Sequence, residues 1–297
     1  MRKRPKQRLD QTLMSIQETT NSEREVVEGN ERPGIVERNV LERRSDKNLT
    51  LKQDLIADEV AVAFAYNGQS HAVMMASPID LYDFAVGFSV TERIVDSVDD
   101  ILDIDIRDAK KGITIQLRIK QIMMERLERQ RRQMSGRSGC GICGIIDLEA
   151  AIPKLEPMVQ TDLPDHTIIN QAVEILQSNQ LIQNSCGGVH CAGMFDRTGK
   201  LLAIREDVGR HNALDKLIGA QLDNIEPEYF VLMSSRASHE LIAKVAIAGI
   251  GTLVTISAAT TLAIEVANKI NLNLIGFIRG SRQVIYSATA TSNLTQK

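Results

Sequence analysis

The chain has 297 residues, of which 43% are hydrophobic and 25% charged, a composition typical of a globular protein with one large or two modest domains. A net charge of -3 and an aromatic content of 3% argue against broad nucleic-acid binding, since few side chains could neutralise phosphates or stack on bases. No apolar run is long enough to span a membrane, and the basic residues 1–6 are not followed by the apolar stretch of a signal peptide. We therefore expect a cytoplasmic protein that binds neither membranes nor nucleic acid.

The first residues differ in composition from those that follow. They are rich in Arg, Glu, Gln, Asn and Ser and contain few large apolar side chains, so they have little surface with which to form a core. We predict that residues 1–45 form a polar, disordered tail whose charges are solvated.

Residues 46–134 predict a small α+β lobe. Alternating apolar residues on either side of Asn67 and Gly68 are typical of a β-hairpin. Ser77 and Pro78 then match the N-cap and the first position of a helix that would cover the hairpin. The expected elements are a hairpin over 60–75, this helix, a second hairpin over 102–119 and a basic helix over 121–133.

Residues 135–297 predict a second, larger unit. Helices are expected near residues 169–176 and 211–222, with strands at 188–195 and 201–205 between them. From residue 229 to residue 278, strands and helices alternate regularly. Such alternation predicts parallel strands with right-handed crossovers and a sheet covered by helices, so we assign an α/β fold class.

Polar residues of similar type follow the three predicted strands of this last stretch. Ligands of open α/β sheets bind beyond the carboxyl ends of the strands, so these residues are candidates for a binding site. Hydroxyls, guanidinium groups and free backbone N–H groups suit a phosphate, with ordinary polar loops as the alternative. The candidates are Ser234, Ser235 and Arg236 after the first strand, Ser257 at the second, and Arg279, Gly280, Ser281 and Arg282 after the third.

Two cysteines, Cys140 and Cys143, lie in a glycine-rich run that is unsuited to a core or to a helix. Such a run suits backbone that moves, so we predict a mobile loop over residues 135–145. Arginines just upstream favour the thiolate, which is the nucleophilic form of cysteine.

A Cys-x-x-Cys pair also occurs in zinc sites and in thioredoxin-like redox proteins. The other candidate zinc ligands, Cys186, His190 and Cys191, lie about forty residues farther on, beyond a zinc-ribbon spacing. A thioredoxin-like motif should open a helix, which the glycines disfavour. We therefore expect a nucleophilic thiol and no metal site.

Residues 206–212 place five polar side chains within seven positions at a predicted helix start. Helix capping explains some of them, and a binding role would explain the rest. His190 is a candidate base or ligand, with a structural histidine as the alternative.

Several segments carry motifs that are specific in combination. They are residues 66–68 (YNG), 71–74 (HAVM), 80–88 (DLYDFAVGF), 137–144 (RSGCGICG), 205–216 (REDVGRHNALDK) and 276–282 (GFIRGSR). In these segments the chain resembles the FdhD family of formate dehydrogenase accessory sulfurtransferases, from about residue 55 to residue 286.

The resemblance implies a protein that takes sulfane sulfur from a cysteine desulfurase and delivers it to the molybdenum bis-guanine-dinucleotide cofactor of formate dehydrogenase. It implies that Cys140 carries the persulfide and that Cys143 assists. It also implies a core similar to the cytidine deaminase fold, without its zinc, and a homodimer. The implied cofactor-binding residues are Phe277, Ile278, Arg279, Gly280, Ser281 and Arg282, together with Ser235 and Arg236.

Two other classes of protein stay open at this point. A non-catalytic chaperone could hold the cofactor at the same strand ends without using a thiol. A zinc-dependent deaminase-like enzyme would share the fold, but it needs His-x-Glu and Pro-Cys-x-x-Cys motifs, which the sequence does not contain as such.

Overall fold

The computed structural model describes residues 33–45, 49–135 and 154–288. The strands are β1 (Ile35–Arg43), β2 (Leu49–Ala57), β3 (Val60–Tyr66), β4 (Gln69–Ala76), β5 (Ile101–Ala109), β6 (Gly112–Ile119), β7 (His190–Phe195), β8 (Leu201–Asp207), β9 (Phe230–Met233), β10 (Thr252–Thr255), β11 (Asn273–Arg279) and β12 (Arg282–Ser287). The helices are α1 (Leu81–Thr91), α2 (Gln121–Ser135), α3 (His166–Asn179), α4 (Leu181–Cys186), α5 (Arg210–Gln221), α6 (His239–Ile247) and α7 (Thr261–Lys269).

β1 and β2 form a separate antiparallel ribbon, in which Ile35 pairs with Ala57 and Arg43 with Leu49. The expectation of a disordered tail over residues 1–45 is therefore wrong for β1, while residues 1–32 lie outside the described part of the chain. Composition misses this strand because its side chains are exposed or half-buried and backbone pairing with β2 holds it.

The four-stranded sheet has the order β4-β3-β6-β5 and contains both predicted hairpins. Asn67 and Gly68 turn the first hairpin with φ angles of 48° and 83°, a left-handed pair typical of a two-residue turn. β3 and β6 are parallel neighbours, so the two hairpins join into one sheet. Phe64 on β3 packs against Phe84 and Phe88 of α1, with ring centroids 5.1 and 4.5 Å away.

α1 begins at Leu81, after Asp80 in a left-handed conformation, and not at Ser77 and Pro78 as the sequence predicts. Ser77 is fully buried and makes long-range bonds instead of capping a helix. Its N–H donates to Asp207 Oδ2 over 3.0 Å, and its carbonyl accepts a hydrogen bond from Lys216 Nζ over 2.9 Å. These tertiary bonds outweigh the local capping preference, so the N-cap prediction is wrong.

The six-stranded sheet has the order β12-β11-β10-β9-β7-β8. β9, β10 and β11 run parallel, as the alternation of strands and helices predicts, and the α/β fold class is confirmed. β7 is antiparallel to both β8 and β9, and β12 returns antiparallel to β11. The sequence analysis does not predict β12.

The four-stranded lobe and the larger sheet meet where α1 crosses α5. A Cβ atom on Gly87 would lie 1.8 Å from the carbonyl oxygen of Asp215, and one on Gly219 would lie 1.9 Å from that of Asp83. Beside this crossing Lys244 of α6 donates to the Asp215 carboxylate over 3.0 Å and to Glu92 over 2.7 Å. Burial alone would lower the pKa of Lys244, but these two carboxylates raise it, so the ammonium stays charged.

No helix within these described ranges is long and apolar enough to cross a membrane. The proposed division into a tail, a lobe and a core has the boundaries given above and stays a prediction.

Candidate functional site

The carboxyl ends of β9, β10 and β11 lie side by side at one edge of the six-stranded sheet, which we call the carboxyl edge. Beyond the strands the backbone remains paired, because Ser257 N–H donates to the Ser235 carbonyl over 3.3 Å. Phe277 N–H likewise donates to the Ser257 carbonyl over 3.0 Å. The structure therefore brings together the three polar strand ends that the sequence analysis selected.

Phe277 and two arginines form a cationic cluster at this edge. The guanidinium carbons of Arg279 and Arg282 lie 5.3 and 4.8 Å from the centroid of the Phe277 ring, within the range of a cation–π contact. Phe277 adopts a φ of 53° and Gly280 a φ of 56°, where the pairing of β11 with β12 is irregular. A left-handed phenylalanine is strained, and here its ring contacts two guanidinium groups.

Both arginines are exposed and neither forms an ion pair with a carboxylate in the described part of the chain. Arg279 Nη1 donates to the carbonyls of Ile256 and Ile278 over 3.0 and 2.7 Å, which holds the side chain against the end of β10. A pair of unneutralised guanidinium groups, of which that of Arg279 is held by hydrogen bonds, is suited to binding a phosphate or pyrophosphate.

The other predicted residues at this edge differ in whether their side chains are exposed and able to bind a ligand. Ser235 is buried, and its hydroxyl donates to the Arg236 carbonyl over 3.1 Å, so its side chain stabilises the turn. Arg236 is exposed. The carbonyl of Ser281 accepts a hydrogen bond from His166 Nε2 over 2.7 Å, which joins the β11–β12 turn to α3.

A cleft of about 440 Å³ opens at the carboxyl edge beside β9 and β10. The sequence analysis expects a ligand at the carboxyl ends of the strands, but it does not predict where along this edge the cleft lies. Ser234, one of its lining residues, accepts a hydrogen bond on its hydroxyl from Cys191 N–H over 2.9 Å. The lining residues are Gln177, Gln180, Gln183, Gly187, Gly188, Val189, His190, Val208, Ser234 and Ile256.

His190 is half-buried at the start of β7, where it lines the cleft. Burial lowers the pKa of its imidazole and the nearby Arg210 guanidinium lowers it further, while Asp207 acts in the opposite direction. The imidazole is therefore mainly neutral at pH 7. A neutral imidazole can act as a base or as a hydrogen-bond donor to a ligand, so both readings of His190 stay open.

Cys191 is fully buried, and burial raises the pKa of its thiol to about 12. It is consequently protonated and a poor nucleophile. Cys186 is half-buried at the end of α4. Cys140 and Cys143, the predicted catalytic pair, lie outside the described residues, and their roles stay predictions.

Most polar side chains of segment 206–212 form hydrogen bonds or ion pairs that stabilise the fold. Glu206 accepts hydrogen bonds from the N–H groups of Ile182 and Gln183, both over 2.9 Å, and so caps α4. Asp207 is fully buried and binds Lys216 Nζ over 2.7 Å. Its second oxygen accepts from the N–H of Gly209 and from Asn212 Nδ2 over 2.8 and 2.9 Å. Capping and burial thus account for Glu206, Asp207 and Asn212, but not for Arg210 and His211.

Among the described residues, no three His, Cys, Asp or Glu side chains converge as they would around a metal ion. The expectation of no metal site also concerns Cys140 and Cys143, and it stays a prediction.

The fold and the site together define a class: an α/β protein with a cationic, cleft-bearing edge at the carboxyl ends of its parallel strands. Comparison with known proteins narrows this class. The sequence profile described as the FdhD/NarQ family matches residues 57–292, and the chain belongs to this family.

Its relatives include proteins named sulfur carrier protein FdhD. The one from Cupriavidus necator is 42% identical over 242 residues, covering 80% of this chain and 84% of the relative. The one from Xanthomonas axonopodis pv. citri is 43% identical over 259 residues, covering 86% and 92%. The fold resembles the crystal structure of a protein from Desulfotalea psychrophila assigned as a formate dehydrogenase accessory protein, with a TM-score of 0.68 at 21% identity over 86% of this chain and 98% of that one.

Proposed function

We propose that this protein carries sulfur, as a persulfide on Cys140, from a cysteine desulfurase to the molybdenum bis-guanine-dinucleotide cofactor, and that formate dehydrogenase is the client that needs this sulfur. The observation that carries the proposal is the pair of unneutralised guanidinium groups of Arg279 and Arg282 held against Phe277 at the carboxyl edge. The names of the relatives support sulfur transfer.

The loading step is a thiol exchange. The Cys140 thiolate attacks the outer sulfur of the desulfurase persulfide, so that one sulfur–sulfur bond breaks, another forms and the desulfurase cysteine leaves as a thiolate. For delivery, the Cys143 thiolate attacks the inner sulfur of Cys140. Sulfide then leaves toward the molybdenum cofactor as substrate, and the two cysteines are oxidised to a disulfide that a cellular thiol reduces.

The nucleotide ends of the cofactor carry pyrophosphates, and these are the groups that Arg279 and Arg282 would bind. A protein with a net charge of -3 must hold such anions by local cations, since its overall charge does not attract them. Phe277, Ile278, Gly280 and Ser281 complete the binding segment, with Ser235 and Arg236 at the neighbouring strand end. A homodimer belongs to the proposal through the family resemblance, and a cytoplasmic location belongs to it through the sequence features described above.

Loading is tested by incubating the protein with a cysteine desulfurase and cysteine, followed by mass spectrometry. Wild type should gain the mass of one sulfur atom, and Cys140→Ala should gain none and should fail to restore formate dehydrogenase activity in a deletion strain. Cys186→Ala is the matched control and should load normally. Full activity of Cys140→Ala would reject the persulfide mechanism and favour the chaperone, which needs the cationic edge but no thiol.

Delivery is tested separately, with GDP as a stand-in for one nucleotide end. Arg279→Ala with Arg282→Ala should weaken GDP binding about tenfold or more in titration calorimetry, because charge-assisted hydrogen bonds are lost, and should leave persulfide loading unchanged. Arg197→Ala is the control, since Arg197 is exposed in the β7–β8 turn at the opposite edge of the sheet. Unchanged GDP affinity in the double variant would move the cofactor site elsewhere.

The deaminase-like alternative predicts a metal ion. We expect purified protein to be metal-poor by elemental analysis. Stoichiometric zinc that disappears on mutation of Cys140 or Cys143 would revive that alternative.

A further inference from the structure

The ribbon of β1 and β2 is anchored at the end where β2 leads into β3. There a Cβ atom on Gly188 would lie 3.1 Å from that of Ala57, and one on Gly34 would lie 3.0 Å from the Ile182 side chain of α4. Residues 43–45 and 49–53, at the far end, are exposed. A two-stranded ribbon is at best marginally stable alone, so we expect this far half to need a partner. The ribbon precedes residue 57, where the family profile begins, except for the end of β2, so the family assigns it no role.

Three leucines lie on one face of the far half of the ribbon. Leu41 pairs with Leu51, and Leu49 is two residues before Leu51, so the three side chains share a face. Leu51 is 53% exposed and Leu49 is 44% exposed. Arg43 pairs with Leu49 on the same face and forms no ion pair within the described ranges. We call Leu41, Leu49 and Leu51 the leucine strip, an apolar surface that ends at a free cation.

The four-stranded sheet has an apolar surface on the face that α1 does not cover. The valines and aromatic residues of β3 (VAVAFAY) pack on the α1 side, so Ala61 and Ala63 point to the other side. Val73 and Met75 of β4 pair with these alanines and are 66% and 51% exposed. A strand with apolar side chains on both faces is typical of a strand covered on both faces. We call these four residues the outer strip and infer that it is covered in the assembled protein.

The charges beside the two strips are opposite in sign. Residues 41–45 and 49–52, around the leucine strip, contain three cations and one carboxylate. β5, in the same sheet as the outer strip, contains three aspartates and one arginine. Packing two ribbons together would bring like charges together, and so would packing two sheets together, whereas a ribbon on a sheet face brings opposite charges together.

The dimensions of the two surfaces also agree. The nine residues of β1 span about 30 Å and the eight residues of β4 about 27 Å, at about 3.4 Å per residue. Within one copy neither strip covers the other, since Leu51 and Val73 are both largely exposed. A stable interface takes about 800 Å² from each partner, more than one strip of three or four side chains supplies. Under a two-fold axis each copy contributes both its ribbon and its sheet face, so the contact forms twice.

We propose that two copies of this chain form a two-fold dimer by exchanging ribbons, with the leucine strip of each copy packed on the outer strip of the other. The inference rests on the proposed function only for the homodimer, to which it gives a surface. It does not depend on sulfur transfer, so the two proposals can fail separately.

The experiment is sedimentation velocity of the full chain over a concentration series. Wild type should sediment as a dimer. A ribbon variant, Leu49→Lys with Leu51→Lys, and a sheet variant, Val73→Lys with Met75→Lys, should each raise the dimer dissociation constant about tenfold or more, because each buries charge in an apolar contact. All four side chains are exposed in one copy, so both variants should fold, and thermal melting by circular dichroism checks this.

Mixing the two variants separates ribbon exchange from other contacts. An equal mixture should recover part of the dimer, because the intact ribbon of the sheet variant can pack on the intact sheet of the ribbon variant. The matched control is Val159→Lys with Leu181→Lys, which adds the same charge at exposed apolar positions outside both strips and should stay dimeric.

The other outcomes overturn the inference. A dimer that neither variant weakens would place the interface elsewhere. Two dissociated variants that do not recover on mixing would show that like surfaces meet. A monomeric wild type would give the outer strip to another occupant, such as residues 1–32 or a client protein. A dimeric wild type that shows ribbon exchange but fails to load a persulfide would reject the proposed function and leave this inference intact.

Discussion

Replacing Gly87 by alanine tests how the lobe is joined to the larger sheet. Helix propensity alone predicts that Gly87→Ala stabilises the protein by about 1 kcal/mol, because glycine is a poor residue within a helix. The structure predicts the opposite sign. The new Cβ would lie 1.8 Å from the Asp215 carbonyl oxygen, whereas ordinary contacts begin at 3.4 Å. α1 and α5 would have to separate by about 1.6 Å, since the obstacle is backbone.

The magnitude follows from what the separation disturbs. Overpacking costs about 1–3 kcal/mol and occasionally more, and a gap of this size also forfeits much of the dispersion energy of the facing side chains. The 2.7 Å hydrogen bond from Thr91 of α1 to Asp215 of α5 crosses the same contact, and Lys244 of α6 donates to Asp215 beside it over 3.0 Å. After subtraction of the propensity gain, we expect Gly87→Ala to lower the free energy of unfolding by about 2–4 kcal/mol.

The assay is urea unfolding followed by circular dichroism, with Gly219→Ala as a second variant at the same crossing. Gln171→Ala, on the exposed face of α3, controls for changes in helix propensity and should stay within about 0.5 kcal/mol of wild type. A Gly87→Ala protein as stable as wild type, or more stable, would refute the close helix crossing.

Two further predictions concern buried charges. Lys216→Met leaves the fully buried Asp207 carboxylate without its cation and should destabilise the protein by about 3 kcal/mol or more in urea unfolding. The control, Lys200→Met, changes an exposed lysine and should leave the stability nearly unchanged. Equal unfolding midpoints for the two variants would contradict the buried ion pair. Burial and the nearby Arg210 charge hold the pKa of His211 below its ordinary value of 6.5. The His211 imidazole therefore binds a proton more readily in the unfolded chain than in the folded one, and the free energy of unfolding falls as the pH drops through 6.5. His211→Gln should therefore lose less stability than wild type between about pH 7 and pH 5 in thermal melts, and an unchanged loss would show that His211 is not the group responsible.

Much of the carboxyl edge could be predicted from the sequence. Parallel strands have their carboxyl ends at the same edge of a sheet, so the positions after β9, β10 and β11 can be expected to meet before any contact is known. Ser235, Arg236 and Arg279 lie there as expected. Their availability could not be predicted, because the Ser235 hydroxyl is bound to a neighbouring carbonyl, a contact that depends on the turn geometry.

The location of the cleft depends on the order of the strands in the sheet. The chain order of β7, β8 and β9 does not say that β7 lies between the other two. Only this order brings His190, Ser234 and Val208 around one cleft. The predicted persulfide carrier Cys140 lies outside the described residues, so its assignment rests on the glycine-rich run and on the family.

The sequence by itself determined the elements whose signals are local. Asn67 and Gly68 specify their turn because both tolerate positive φ, and alternating strands and helices specify a parallel sheet. Tertiary structure decided the features that depend on distant partners. Ser77 has the local signature of an N-cap, yet its backbone bonds to Asp207 and Lys216, more than a hundred positions away, place it in the buried contact between the lobe and the core. β1 and β12 are likewise held by pairing with a neighbouring strand. Local propensities differ by about 1 kcal/mol or less, so a buried ion pair or a strand partner overrides them.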